Sequence, residues 1–243
     1  MPTSIIAAAE SQRLPFPDAA SLARRMDHTL VLRADVTTAQ VASLCAEAAE
    51  HGFATVFVHP CYVALAAGLL RATPVRVGTP VGFPYGGALT TVKRFEAAEA
   101  LRLGADELDM VINLGALKSG DRTLVAADIR GVVEIAHGAG AIVKVILETP
   151  LLTIDEKLAA CELSLAAGAD FVKTGTGLVG PATVEDVSLL RGVVGERAGV
   201  KASGGIRTLA SAAAMIEAGA DRLGTSAAVS ILREFHARRS SQS

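Results

Sequence analysis

One short unit recurs along this chain of 243 residues: a helix-like run ends in glycine, a small residue and an aspartate follow, and an apolar strand begins. The copies are Leu103-Gly104-Ala105-Asp106, Ala167-Gly168-Ala169-Asp170 and Ala218-Gly219-Ala220-Asp221, with looser versions at Gly52, Gly140 and Gly199. Glycine suits the position just past a helix because it adopts positive φ without strain. Most junctions fall about thirty residues apart or about twice that, the length of a βα unit. Eight apolar runs read as strands: Met26–Val31, Ala54–His59, Val75–Gly82, Glu107–Asn113, Ile142–Glu148, Phe171–Gly175, Val200–Gly204 and Arg222–Thr225. Helical stretches lie between them, among others Thr38–Glu50, Val92–Leu103, Thr123–His137, Asp155–Ala167, Val184–Val194 and Leu209–Ala218. Alternating β and α elements imply a parallel sheet. Eight strands favour closure, so the expectation is an α/β chain forming a single (β/α)8 TIM barrel. A short N-terminal helix over Asp18–Arg25 precedes strand one. Residues 1–17 read as an N-terminal extension and 237–243 as a flexible polar tail.

Half of the residues are apolar, enough to cover both faces of buried parallel strands. The formal net charge is −2, with both signs dispersed and no basic stripe, which argues against a nucleic-acid partner. No run is apolar enough to span a membrane, and the start lacks a basic signal segment, so a cytoplasmic protein is expected. Cys45, Cys61 and Cys161 make neither a disulfide framework nor a metal-binding pair. Cys45 and Cys161 read as small core residues, while Cys61 follows a strand end.

Strand residues alternate faces. Leu108, Met110 and Ile112 form one set and pack outward, which turns Asp109 and Asn113 inward. Val143, Val145 and Leu147 likewise leave Lys144, Ile146 and Glu148 facing the lumen. Val172 outward places Lys173 inward, and Val200 with Ala202 outward places Lys201 inward. One aspartate and three lysines thus enter one lumen from four consecutive strands. Lysine is rarely buried unless paired. A purely structural network, with pairs such as Lys144–Glu148 or Lys201–Asp109, is one account; a reactive amine is the other. Burial and a second ammonium both lower a lysine pKa, and Lys173 and Lys201 lie on neighbouring strands. Asp109 supplies a group to move protons.

Barrel enzymes often hold phosphate on backbone N–H groups after the last two strands. Here those strands end in Ser203-Gly204-Gly205-Ile206 and Gly224-Thr225-Ser226, and a short helix from near Ser226 adds its positive end. Thr176-Gly177 supplies a third side.

At these residues the sequence resembles the deoxyribose-phosphate aldolases, from about Met26 to Leu232. The matching segments are Asp27-His28-Thr29-Leu30, Val81-Gly82-Phe83-Pro84, Glu107–Asn113, Lys144 to Thr149, Phe171 to Gly177, Ala182 to Val187, Val200 to Arg207 and Arg222 to Ser226. The resemblance implies a Schiff base on Lys173, a tuning cation at Lys201 and a proton relay at Asp109. It also implies reversible cleavage of 2-deoxy-D-ribose 5-phosphate to D-glyceraldehyde 3-phosphate and acetaldehyde. No metal or cofactor is implied, because a protonated imine is the electron sink. Asp27, Thr29, Lys144 and Thr176 are expected at the substrate, and Gly177, Gly204, Gly205, Gly224 and Ser226 at its phosphate. A homodimer or homotetramer is expected by analogy. Gly175 stands where the family motif often has serine, the 178–181 loop is a residue shorter, and Ala227 replaces a second serine. The rival readings are another Schiff-base phosphosugar aldolase or transaldolase, and a non-catalytic phosphosugar-binding barrel.

Overall fold

The structure is a computed structural model that describes residues 14–240. Eight strands follow one another around a closed parallel barrel: β1 (Met26–Thr29), β2 (Thr55–Phe57), β3 (Arg76–Val81), β4 (Glu107–Val111), β5 (Ile142–Ile146), β6 (Phe171–Lys173), β7 (Gly199–Ser203) and β8 (Arg222–Thr225). β8 returns to β1 with Gly224 opposite Asp27. The fold is therefore the (β/α)8 barrel expected.

The helices are α1 (Ala19–Ala23), α2 (Thr38–His51), α3 (Val63–Leu70), α4 (Thr90–Arg102), α5 (Leu114–Lys118), α6 (Arg122–Gly138), α7 (Ile154–Ala166), α8 (Val184–Val194), α9 (Leu209–Glu217) and α10 (Ala228–Ser240). Local sequence explains several of their starts. Thr37, Thr153 and Thr208 cap α2, α7 and α9, each accepting from the amide of the third helical residue, which answers back with its own side chain. Asp18 does the same for α1, the helix expected before the first strand. Two chain ends differ from expectation. α10 runs on to Ser240, so residues 237–240 continue a helix rather than a loose tail; its buried Ile231, Leu232 and Phe235 anchor it, with Phe16 against Phe235. The remainder of the expected extension and tail, residues 1–13 and 241–243, lies outside the described residues.

The outward strand residues Leu108, Met110, Val143, Val145, Val172, Val200 and Ala202 join one apolar cluster with the helices. Cys45 and Cys161 are buried in it, and burial pushes their thiols up to about 11 and about 12. Cys61 is exposed in a 3-10 turn over Pro60–Tyr62.

The recurring Gly-Ala-Asp unit has two jobs. Gly104, Gly168 and Gly219 take φ of 102°, 85° and 107°, as the turn out of a helix requires. Each aspartate then grips the strand one place back. Asp106, Asp170 and Asp221 donate their backbone N–H to the carbonyls of Val77, Val143 and Val200. Their carboxylates accept the amides of those same three residues at 2.9, 2.8 and 2.8 Å. Gly199 does not belong to this set. It lies within β7, and the left-handed turn after α8 falls at Gly195, φ 56°.

Asp170 also pairs with His137 at 2.9 Å. Asp170→Ala is expected to lower stability by about 1–2 kcal/mol, since a backbone donor loses its acceptor, and Asp170→Asn by less. Urea unfolding midpoints at unchanged slope measure this; equal midpoints for wild type and both variants would count against the clamp.

Candidate active site

Barrel closure brings the ionic side chains of six strands into one lumen. Asp109 Oδ2 accepts from Lys173 Nζ at 2.7 Å and from Lys201 Nζ at 2.8 Å. Its Oδ1 accepts from Lys144 at 3.3 Å. Beneath, Lys144 bonds Glu107, and Lys201 meets Asp27 at 2.5 Å. Arg222 closes the floor, donating to Asp27 at 2.6 Å and to Thr55 Oγ1 at 2.9 Å, with Glu107 at 3.4 Å. The Phe57 ring lies 3.8 Å from Lys201 Nζ, 4.9 Å from Lys144 and 5.9 Å from Lys173, measured to its centre. Two glycines make room for lumen aromatics: a Cβ at Gly78 would collide with Phe57, and one at Gly199 with Phe171.

Register explains why these groups meet. Asp109 is opposite Lys144 across β4 and β5, and Lys173 is opposite Lys201 across β6 and β7. Neighbouring strands are roughly 5 Å apart, so a long ammonium arm spans the gap.

The cluster sets three carboxylates, Asp27, Glu107 and Asp109, against four cations, Lys144, Lys173, Lys201 and Arg222. Net charge in a dry lumen is costly, which favours release of one proton. Arginine does not release one at ordinary pH. Lys144 has three carboxylates within 4 Å and Lys201 has two, whereas Lys173 has Asp109 alone. Lys173 is thus the amine most easily freed. Burial lowers its pKa, Asp109 opposes this, and Lys201 lowers it further, leaving it at about 8. Burial also acts against a charged Lys144, but Asp109, Glu107 and Asp27 outweigh that and raise its pKa. For Asp109, burial favours the acid, yet Lys173, Lys201 and Lys144 together hold it far below the usual carboxylate range.

Above this floor a cleft opens at the C-terminal ends of the strands. Asp109, Lys173 and Lys201 form its base; Thr29, Thr176, Gly177, Gly204, Gly205, Gly224 and Ser226 line its wall. Gly177, Gly204 and Gly205 take φ of 87°, 110° and 73°, a conformation that side chains resist. The Gly204 loop packs against the chain after β6: a Cβ there would stand 2.9 Å from Gly180 O and 3.3 Å from Gly177 Cα. Two hydroxyls pin the loop from below. Thr174 Oγ1 donates to Ser203 O and accepts from Ser203 N, at 3.1 and 3.0 Å; Thr225 Oγ1 donates to Ile206 O at 2.6 Å. Arg207, exposed at the rim, brings a cation to the same wall. An open backbone cradle beside an arginine suits an anion.

Several expectations change here. Asp27 and Lys144 do not line the cleft; both are fully buried one layer below it, because their carboxylate and ammonium are consumed by the ionic floor. The Lys144–Glu148 pair does not form. β5 ends at Ile146 and Glu148 turns to φ 59°, so its carboxylate instead accepts the Thr176 amide at 3.1 Å. Lys201–Asp109 does form, but within the cluster that frees Lys173. Gly224 has a packing role too, since a Cβ would stand 2.6 Å from Ser203 Oγ and 3.1 Å from Lys201 Cε. The helix near Ser226 begins at Ala228 and is 13 residues long rather than short. Glu107, Phe57, Arg222 and Arg207 were not singled out from the sequence. Glu107 shares the parity of Asp109 and was findable; Phe57 and Arg222 need the ring of strands to be closed.

A barrel whose C-terminal cleft holds a depressed lysine, a second ammonium and a carboxylate is equipped for carbonyl chemistry. The chain belongs to the DeoC/LacD family aldolases, whose sequence pattern matches residues 22–238. It is 55% identical over 213 residues to the deoxyribose-phosphate aldolase of Geobacillus sp. (strain WCH70), covering 87% of this chain and 95% of the relative. To the deoxyribose-phosphate aldolase of Thermoanaerobacter sp. (strain X514) it is 52% identical over 218 residues, covering 89% and 97%. The solved tetrameric deoxyribose phosphate aldolase of Aeropyrum pernix superposes with a TM-score of 0.86 at 37% identity, covering 92% of this chain and 94% of that one.

Gly204→Ala is expected to weaken inorganic phosphate binding at least about tenfold by calorimetry. Gly192→Ala, on α8 with nothing within 4 Å of the added methyl, should leave it unchanged. Equal affinities in both variants would remove the Gly204 loop from the anion site.

Proposed function

We propose that the chain is a class I aldolase that cleaves 2-deoxy-D-ribose 5-phosphate reversibly to D-glyceraldehyde 3-phosphate and acetaldehyde, in the catabolism of deoxyribose phosphates. The observation that carries this reading is the single buried carboxylate, Asp109, shared by Lys173 and Lys201 at the base of the cleft. The names of the relatives above support the substrate.

The free amine of Lys173 attacks the C1 aldehyde of the open-chain sugar, giving a carbinolamine that loses water to form an iminium. Asp109 and Lys201 pass the protons this requires. Removal of the C3 hydroxyl proton breaks the C2–C3 bond. Its electrons flow into the iminium, leaving an enamine on Lys173 and releasing glyceraldehyde 3-phosphate. Protonation of the enamine at C2 and hydrolysis release acetaldehyde and return the amine. The substrate phosphate sits against Gly177, Gly204, Gly205, Gly224 and Ser226, with Arg207 at the rim. Thr29 and Thr176 face the sugar. The chain is read as a homo-oligomer by analogy with the tetrameric relative, and no helix among the described residues is long and apolar enough to cross a membrane.

Borohydride with acetaldehyde is expected to fix an adduct on Lys173, seen by peptide mass spectrometry, and Lys173→Ala to lose both adduct and turnover. A binding module would trap nothing. The acid limb of kcat/KM should fall at pH about 8, with rate rising as pH rises through it, because the protonated amine cannot attack. Lys201→Leu removes a neighbouring positive charge, so this limb should move to higher pH and neutral-pH turnover should collapse. An unshifted limb would dismiss Lys201 as the tuning group.

A further inference from the structure

We infer that Arg222 and Glu107, which lie outside the cleft, are positioning residues that set how readily Lys173 gives up its proton, acting in opposite directions through the shared carboxylates. The inference deepens the Schiff-base reading and rests on it.

The chain of contacts is continuous. Arg222 holds Asp27 Oδ1 at 2.6 Å, while Asp27 Oδ2 holds Lys201 at 2.5 Å. Lys201 in turn shares Asp109 Oδ2 with Lys173. Arg222 therefore satisfies half of Asp27 and leaves Lys201 committed to Asp109 as well. Were Arg222 neutral, Asp27 would draw Lys201 downward and Asp109 would be left to Lys173, which would keep its proton. Glu107 works the other way. It anchors Lys144, whose remaining carboxylate contacts are Asp109 at 3.3 Å and Asp27 at 3.9 Å. Were Glu107 neutral, Lys144 would turn to Asp109 and compete with Lys173 for it.

The charge count gives the same two signs. Without the arginine, three carboxylates balance three ammonium groups with Lys173 protonated. Without the glutamate, two carboxylates face four cations, and proton release is favoured more strongly. The charged groups that face Lys173 are Asp109 from β4, Lys144 from β5 and Lys201 from β7. Asp27 from β1, Glu107 from β4 and Arg222 from β8 form the layer beneath, with the Phe57 ring from β2 between them. Glu148, from beyond β5, is engaged by the Thr176 amide, and Arg207 stands at the rim. Neither Arg222 nor Glu107 lines the cleft, so a substrate does not touch them.

The test reads the amine itself. Competitive labelling with acetic anhydride across pH, quantified on the peptide carrying Lys173, gives the labelling midpoint of wild type, Arg222→Met, Arg222→Lys and Glu107→Gln. Arg222→Met should raise the midpoint by about one pH unit, a roughly tenfold smaller free-amine fraction at neutral pH. Arg222→Lys should return it toward wild type. Glu107→Gln should lower it; if that variant does not fold, as judged by circular dichroism, the Arg222→Met and Arg222→Lys pair decides alone. Midpoints unmoved in Arg222→Met, or equal shifts in Arg222→Met and Arg222→Lys, would overturn the inference. So would a shift of the same sign in Arg222→Met and a folded Glu107→Gln. Failure of the aldolase reading is distinct: wild type would then show no borohydride adduct with acetaldehyde, whatever the labelling midpoints.

Discussion

One carboxylate oxygen, Oδ2 of Asp109, organises the interior of this barrel. Two ammonium groups from strands two and three places further round the barrel converge on it. Each of them would be strongly destabilising alone in an apolar core, and so would the carboxylate. Together they are tolerated, and the pairing holds β4 against β6 and β7 across the barrel. The arrangement also leaves one amine with less support than the others. Stability and reactivity are thus set by the same contacts: the carboxylate that makes burial of Lys173 possible is the group that, in the proposed mechanism, moves its protons.

The lumen divides into two layers with different physics. The floor is ionic and closed, with Asp27, Glu107, Lys144 and Arg222 fully or mostly buried and bound to each other. Aromatic rings fill the space between, admitted by the absence of a side chain at Gly78 and Gly199. The upper layer is open, and glycines form part of its wall. Gly177, Gly204 and Gly205 hold positive φ there, while the Thr174 and Thr225 hydroxyls tie down the loop that follows β7. The charged side chains of the lumen are fixed on strands, and the wall of the cleft is left largely to loops, as is usual for binding surfaces on a barrel.

Where sequence reasoning fell short, the reason is geometric in each case. The helix Val63–Leu70 is apolar on every face, so no amphipathic period marks it in the sequence. Gly199 looked like a helix-ending glycine, but it lies in a strand to admit Phe171 from the neighbouring one. Glu148 had the parity of a lumen residue. The strand ends two residues earlier, and a left-handed turn redirects the carboxylate to the Thr176 amide. Lys144 had the right parity as well, and Asp27 was expected at the substrate from the family resemblance, but neither parity nor a motif gives a depth. They belong to the floor rather than the cleft.

The amino-acid sequence by itself determined the βα repeat, the number of strands and the inward face of Asp109, Lys144, Lys173 and Lys201, because these follow from local periodicity and from where glycine can end a helix. Its motifs also marked the glycine loops after the last strands. Only the tertiary structure decided which carboxylate meets which ammonium, that Arg222 and Phe57 share the lumen, and that Lys173 is the least supported of four cations. Those outcomes depend on strand register and on closure of β8 against β1, which bring together residues nearly two hundred positions apart, such as Asp27 and Arg222. No local pattern encodes such a distance.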